Sequence, residues 1–401
     1  MIKHKFSCLI LVIILLFTVA TPCYAADEPY DWGKYKDDNI TLNVYNWGLY
    51  ISDGTDDTMN VIKEFENKTG IKVVYNTYDT NESLYSKLRS GGGDYDVIFP
   101  SDYMIGKMIG EGMLAELDYN NIPNIAMIGD EYKHQSYDPD DKYCVPYTWG
   151  IVGIVYNKTM VNEEITSWQS LWDEQYIGNI LMFNNSRDAY AIAAKKLGVS
   201  LNPKTEKELI ALNEELKTQK HLVSAYVMDE IFDKMERGEA ALAPYYAGDA
   251  ITMISENPDL AFAIPEEGTN YFVDAMCVPK TSRNKGAAEM FINFLCETDV
   301  ALANCEFIGY STPHTKAREL LPSELKNSPI AYPPKEVLAK TETMQVLSED
   351  MNTAMDAAWS EMKSFDENGS GWLIPVMLVA MLLLTAFGFY RKRVKKLRNL
   401  Y

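Results

Sequence analysis

Seven short stretches of this chain set aromatic rings beside hydroxyl or carboxylate side chains: Tyr45-Asn46-Trp47, Thr77-Tyr78-Asp79, Ser101-Asp102-Tyr103, Tyr147-Thr148-Trp149, Tyr245-Tyr246-Ala247-Gly248-Asp249, Tyr271-Phe272-Val273-Asp274 and Gly309-Tyr310. Rings beside carboxylates suit one ligand chemistry well, an alkyl chain carrying ammonium groups. Each ammonium taken out of water needs a charged hydrogen bond, worth about 1.5–3 kcal/mol. Ring faces pack on the methylenes and attract the cation, adding about 0.5–2 kcal/mol each. Ordinary rim packing explains any one cluster equally well, but seven in one chain point to a shared site.

Other chemistries find weaker support. Paired carboxylates such as Asp188 and Asp274 could serve a glycoside hydrolase as acid and base, which makes an extracellular hydrolase the enzyme alternative. Gly91-Gly92-Gly93 lacks the Lys and Ser/Thr of a phosphate loop and reads as a turn. Asp138, Asp140 and Asp141 have no partner at the distant position a calcium loop requires, so a solvated turn is expected. The four histidines, His4, His134, His221 and His314, are scattered, leaving no histidine-based metal site or triad. Cys144, Cys277, Cys296 and Cys305 lack metal spacing and stand among apolar residues, so buried thiols are expected, with a Cys296–Cys305 disulfide as the alternative. No metal and no cofactor is implied.

The elements that must position the clusters alternate. Strand candidates at Thr41 to Tyr45, Lys72 to Thr77 and Asp96 to Phe99 enclose helix candidates at Met59 to Lys68 and Ser83 to Arg89. The rhythm returns with strands at Ile151 to Tyr156, Asn179 to Met182, Ala240 to Pro244 and Val273 to Val278, and a helix at Ala189 to Leu197. From Lys285 onward the pattern is mainly helical. Such alternation predicts an α/β fold with a largely parallel sheet. Open α/β sheets bind ligands at the carboxyl ends of their strands, where these clusters fall.

Both ends of the 401-residue chain are apolar. Lys3 and Lys5 precede the run Leu9 to Val19, and Cys23-Tyr24-Ala25 stands before Ala26, the layout of a secretory signal over residues 1–25. Cys23 raises lipidation as an alternative, although Pro22 occupies the place of a small residue. Residues 372–390 form an uncharged apolar run about 28 Å long as a helix, enough to span a bilayer. Arg391, Lys392, Arg393, Lys395, Lys396 and Arg398 then mark residues 391–401 as a cytoplasmic tail. A single-pass protein is expected, its body outside the cell membrane. Between the apolar segments 57 acidic residues face 29 basic ones, a net charge of −28. Such a field excludes nucleic acid and favours cationic solutes. A sensor ectodomain is a third possibility, but the tail is too short to fold as a signalling domain.

The motifs Leu42-Asn43-Val44-Tyr45-Asn46-Trp47, Phe65 to Tyr78 (FENKTGIKVVYNTY), Asn81-Glu82 and Pro100-Ser101-Asp102-Tyr103 resemble the spermidine/putrescine-binding proteins of polyamine ABC importers. The likeness continues through Val145-Pro146-Tyr147-Thr148-Trp149-Gly150, Ser167 to Trp172 (SWQSLW), Val273-Asp274 and Ile308 to Pro313 (IGYSTP), covering roughly Asn39 to Lys363. It implies no enzyme but a type II periplasmic-binding-protein fold, two α/β lobes closing on an extended polyamine that is then delivered to permease subunits. Residues 38–149 and 273–318 would form lobe 1, 150–272 and 319–363 lobe 2, and 364–371 a linker to the membrane helix.

By the same resemblance Trp47, Ser101, Tyr103, Asp274 and Tyr310 match cleft positions. Asp188 stands in place of a glutamate, and Tyr246 and Phe272 in place of tryptophans. Asn185 occupies an aspartate position, Gly48 a position with a hydroxyl in some members, and Met344 falls near a glutamine, with Gln345 beside it. Asp249 reads as a surface carboxylate after a strand; turned inward, it would replace the charge missing at Asn185.

Overall fold

The computed structural model describes residues 30–365 and, beyond them, Met381 and Thr385, both helical. The leader, the linker beyond Phe365, the rest of the apolar run at 372–390 and the basic tail lie outside the described residues. Among the described residues no helix is long and apolar enough to cross a membrane. Ser364, assigned to the linker by sequence, instead closes the helix Glu349–Ser364.

Nine strands are present among the described residues: β1 (Thr41–Trp47), β2 (Lys72–Tyr78), β3 (Val97–Ile98), β4 (Cys144–Asn157), β5 (Ile180–Phe183), β6 (Val223–Val227), β7 (Leu242–Tyr246), β8 (Leu260–Ala263) and β9 (Tyr271–Cys277). They run in the order β2-β1-β3-β9-β4-β7-β5-β6, with β8 also on β4. The fourteen residues of β4 connect two halves. Cys144 to Ile151 pair with β9, whereas Val152 to Asn157 pair with β7 and β8. We call the β1, β2, β3 and β9 side the first lobe and the other side the second.

The expected parallel sheet is half right. Pairings β1–β2, β1–β3, β5–β6 and β5–β7 are parallel; β3–β9, β4–β7, β4–β8 and β4–β9 are antiparallel. Parallel neighbours need a helical crossover on one face, which the strand–helix units provide within each lobe. β4 and β9 instead carry the chain between lobes, so they enter each sheet in the opposite sense. Thr269 and Asn270 fasten the second crossing to β4: Thr269 Oγ1 donates to Val152 O at 2.6 Å, and Val152 N donates to Asn270 O at 3.2 Å.

Local signals fix the helices around these strands. Asn60 caps Val61–Thr69 through Lys63 N, and Gly70, at φ +77°, ends it. Thr80 and Ser83 form a reciprocal box at the start of Asn81–Arg89, as Thr205 and Glu208 do for Glu206–Gln219. Phe65 packs edge-on to Phe291, centroids 4.9 Å apart, and joins Val61–Thr69 to Lys285–Leu295 in the first lobe. Trp359 of Glu349–Ser364 lies against Tyr190 and Tyr226 in the second. Cys144, Cys277, Cys296 and Cys305 are buried free thiols, and Cys305 Sγ donates to Tyr310 O at 2.8 Å. Asp138 is buried rather than solvated: its carboxylate accepts from Lys142 N, Tyr143 N and Cys144 N and ties the loop that leads into β4.

Gly153 lets β8 approach β4. A β-carbon there would meet the Phe262 ring and stand 2.5 Å from Ala263 O. Gly153→Val should therefore destabilise the protein by about 1–3 kcal/mol, an overpacking cost, seen as a lower urea midpoint. An unchanged midpoint would mean that β8 is not held against β4.

Candidate functional site

The carboxyl ends of β1, β2, β3, β5 and β7 point toward one cleft between the lobes, of about 650 Å³. Trp47 ends β1, and its Nε1 donates to Phe99 O at 2.8 Å. Ser101 immediately precedes, and Asp102 and Tyr103 open, the helix Asp102–Gly110 that follows β3. Asp188 lies in the first turn of Ser186–Lys196, after β5. Tyr246 ends β7, and Asp249 lies in the first turn of the helix Ala247–Glu256 that follows. Phe272 and Asp274 come from the beginning of β9, which runs the other way; Asp274 pairs with Thr148 just past an irregularity at Pro146. Tyr310 is aimed inward by Gly309, at φ +72°, where any side chain would strike Gly248 O.

Eight of the nine sequence-chosen residues thus line the cleft: Trp47, Ser101, Tyr103, Asp188, Tyr246, Phe272, Asp274 and Tyr310. Asn185 does not. Its Oδ1 accepts from Arg187 N at 3.0 Å, so its amide caps the helix that presents Asp188. Asp249 is not a surface carboxylate; it turns inward and accepts from Tyr310 Oη at 2.9 Å. Tyr50 was not singled out by sequence, although it follows Trp47 by only three residues. Its hydroxyl donates to Asp274 Oδ2 at 2.6 Å. Asp229 and Asn270, also unforeseen, complete the polar lining, and Phe232 and Met228 extend the apolar wall.

Two features define the chemistry. The rings make a continuous wall: Tyr246 meets Phe272 at 5.5 Å, Phe272 meets Tyr310 at 6.3 Å, and Tyr310 meets Tyr50 at 4.9 Å, all steeply inclined. Against it stand six aspartates, Asp79, Asp102, Asp188, Asp229, Asp249 and Asp274, while among the described residues no lysine, arginine or histidine lines the cleft. Tyrosine hydroxyls hold the carboxylates in place, Tyr246 on Asp188 at 2.8 Å and, behind the wall, Tyr103 on Glu82 at 2.9 Å. Three buried acceptors in the lining have no hydrogen-bond partner: Asp102 Oδ2, Asn270 Oδ1 and Asp274 Oδ1. Arg187 lies behind the wall, 4.5 Å from the Tyr103 ring centroid, and donates to Gln345 O. Among the described residues no three histidine, cysteine or acidic side chains gather as a metal site.

Burial makes these carboxyls hold their protons. It pushes Asp102 and Asp249 up to about 8, Asp188 to about 7 and Asp274 to about 6, against the pull of neighbouring hydrogen-bond donors. Desolvation disfavours the charged form, and the buried Arg187 behind the wall offsets it only in part at Asp102 and Asp188.

Residues 60–333 match the model of the bacterial extracellular solute-binding proteins. The chain belongs to that family. It is 35% identical over 310 residues to the spermidine/putrescine-binding periplasmic protein of Salmonella typhimurium, spanning 77% of this chain and 87% of that one. The putrescine-binding periplasmic protein SpuD of Pseudomonas aeruginosa is 29% identical over 346 residues, 82% of this chain and 93% of its own. The solved spermidine/putrescine ABC transporter substrate-binding protein PotD of Streptococcus pneumoniae superposes with a TM-score of 0.68 at 37% identity, over 81% of this chain and 98% of that one. The fold is the mixed α/β periplasmic-binding-protein fold, and solute-binding proteins of this family carry substrates rather than transform them.

A carboxyl that keeps its proton better folded than unfolded adds stability that is complete below about pH 4 and lost as pH rises through its folded value. For Asp249 that loss extends to about pH 8. In the absence of ligand, the melting temperature of Asp249→Asn relative to wild type should therefore rise progressively between pH 5 and pH 8. A difference independent of pH would show that Asp249 is ionised throughout.

Proposed function

We propose that this chain is the extracellular receptor of an ABC importer for polyamines of the putrescine and spermidine class. One observation carries the reading: the cleft combines a wall of rings with six aspartates and, among the described residues, no positive side chain. An alkyl diamine or triamine matches both halves of that lining. Its methylenes pack on Phe272, Tyr246 and Trp47, and its ammonium groups supply the donors that Asp274 Oδ1 and its neighbours lack. The names of the relatives support the same ligand class. Ser101, Tyr103, Asp188, Asp249, Asp274 and Tyr310 are the proposed polar contacts, and Asn185 supports Asp188 from behind.

The lobes, residues 38–149 with 273–318 and 150–272 with 319–363, close on the ligand about the crossings at β4 and β9. Only affinity that is greater in the closed state drives closure. The closed form docks on membrane permease subunits. The signal peptide at 1–25 exports the body, and residues 372–390 anchor it with residues 391–401 in the cytoplasm. A linker of seven residues, 365–371, reaches about 15 Å and keeps the receptor near its permease, raising effective concentration without a new contact.

Titration calorimetry with putrescine, spermidine, cadaverine and 1,4-butanediol tests the ligand class. Amines should bind and the neutral diol should not; absence of heat with every amine would defeat the reading. Asp274→Asn should weaken amine binding by at least about 30-fold, the cost of leaving a buried charge pair unmade, with the fold intact. A chain ending at residue 365 should appear in the soluble fraction while the full chain sediments with membranes; equal partitioning would remove the anchor.

A further inference from the structure

Two of the buried free thiols, Cys144 and Cys277, face each other. Cys144 opens β4 and Cys277 ends β9, and the antiparallel register sets them directly opposite, followed by Val145 against Met276 and Pro146 against Ala275. Directly opposed residues share one face of the sheet.

The backbone shows which kind of pair this is. Ala275 N donates to Pro100 O at 3.1 Å, so Ala275 and, two residues on, Cys277 turn their N–H and C=O toward the β3 side, where Cys277 pairs with Ile98. On the other strand Cys144 N donates to Asp138 Oδ2 at 3.2 Å, and Pro146 has no N–H to give. Cys144 and Cys277 therefore form a non-hydrogen-bonded pair, the position where opposed side chains come closest, with α-carbons about 4.5 Å apart. That lies within the span of about 4.4–6.8 Å that a disulfide bridges. The two thiols already interact: Cys277, ahead of burial, raises the Cys144 thiol, while Cys144 Sγ donates to Asp138 Oδ2 at 3.4 Å. Cys305 instead donates its thiol to Tyr310 O at 2.8 Å.

We infer that Cys144 and Cys277 form a cross-strand disulfide when the exported chain folds outside the cell. The inference rests on the extracellular placement of the body, since disulfides persist in oxidising compartments, and is independent of the ligand. The thiolate of one cysteine attacks a small-molecule disulfide and displaces one of its thiolates; the thiolate of the other then attacks the cysteine sulfur of the mixed disulfide and displaces the second. Two cysteine thiols become one S–S bond, and the small disulfide takes up their two electrons and two protons as two small thiols. The bond forms before packing is complete, because burial disfavours the thiolate that must attack. The same burial then shelters it. It lies about 23 Å along β4 from Ile151, the last residue of β4 to pair with β9, so it stiffens the first lobe and leaves the crossing free to bend.

Refolding the full-length protein in detergent, from urea and reductant into mixtures of reduced and oxidised glutathione, tests the pairing without regard to export. With the oxidant in excess, peptide mapping should recover Cys144 linked to Cys277, and the intact mass should fall by two hydrogens. The melting temperature should exceed that of the reduced chain by at least about 3 °C. Cys277→Ala should abolish the linkage and melt alike with and without reductant; Cys144→Ser takes its place if that variant does not fold. Recovery of both cysteines as thiols at every glutathione ratio, linkage of either to Cys296 or Cys305, or equal melting temperatures for the oxidised and reduced wild type would overturn the inference. Protein taken from cells with its thiols blocked at lysis should carry the same bond. Free thiols there, with the bond formed on refolding, would overturn its formation outside the cell and leave the pairing standing.

Discussion

Buried negative charge with too little counter-charge governs this molecule. A carboxylate moved from water into a ring-lined cleft loses solvation that only a nearby cation or several donors can replace. The fold carries four such groups, Asp102, Asp188, Asp249 and Asp274, to one place and supplies them with tyrosine hydroxyls and backbone amides but, among the described residues, no cation in the cleft lining, the buried Arg187 standing behind it. Neutral donors fix the position of each oxygen and leave its charge largely uncompensated. Protonation is the default remedy, and an ammonium ligand is the better one.

The architecture follows from that demand. Carboxylates in the first turns of helices sit where backbone amides point, so Asp102, Asp188 and Asp249 share one local solution built after three different strands. Rings from two strands, Tyr246 from β7 and Phe272 from β9, meet over the crossing strand β4. Tyr310 of the first lobe donates to Asp249 of the second, so one hydrogen bond spans the cleft. Closure and recognition therefore use the same side chains.

Much of this was legible in the sequence because both signals are local. A strand followed by a ring and a carboxylate marks its own place in an α/β sheet, which is how Trp47, Tyr103, Tyr246 and Asp274 were found. Long-range facts were not legible. The inward turn of Asp249 depends on Tyr310, 61 residues away, and the role of Tyr50 on Asp274, 224 residues away. At Asn185 a polar residue immediately before a helix reads alike as ligand or cap, and only the bond from Arg187 N separates them. The antiparallel course of β4 and β9 was hidden for the same reason: apolar runs report burial, not direction.

The central claim is that buried carboxyls surrender protons to a cationic ligand, and proton release on binding measures it most directly. Titration calorimetry of putrescine at pH 7 in two buffers of different ionisation enthalpy gives the number of protons exchanged. Amines are already charged at that pH, so the account predicts net release, contributed by Asp188 and Asp249, with the released number falling toward pH 9. Binding with no proton exchange, or with uptake, would contradict it.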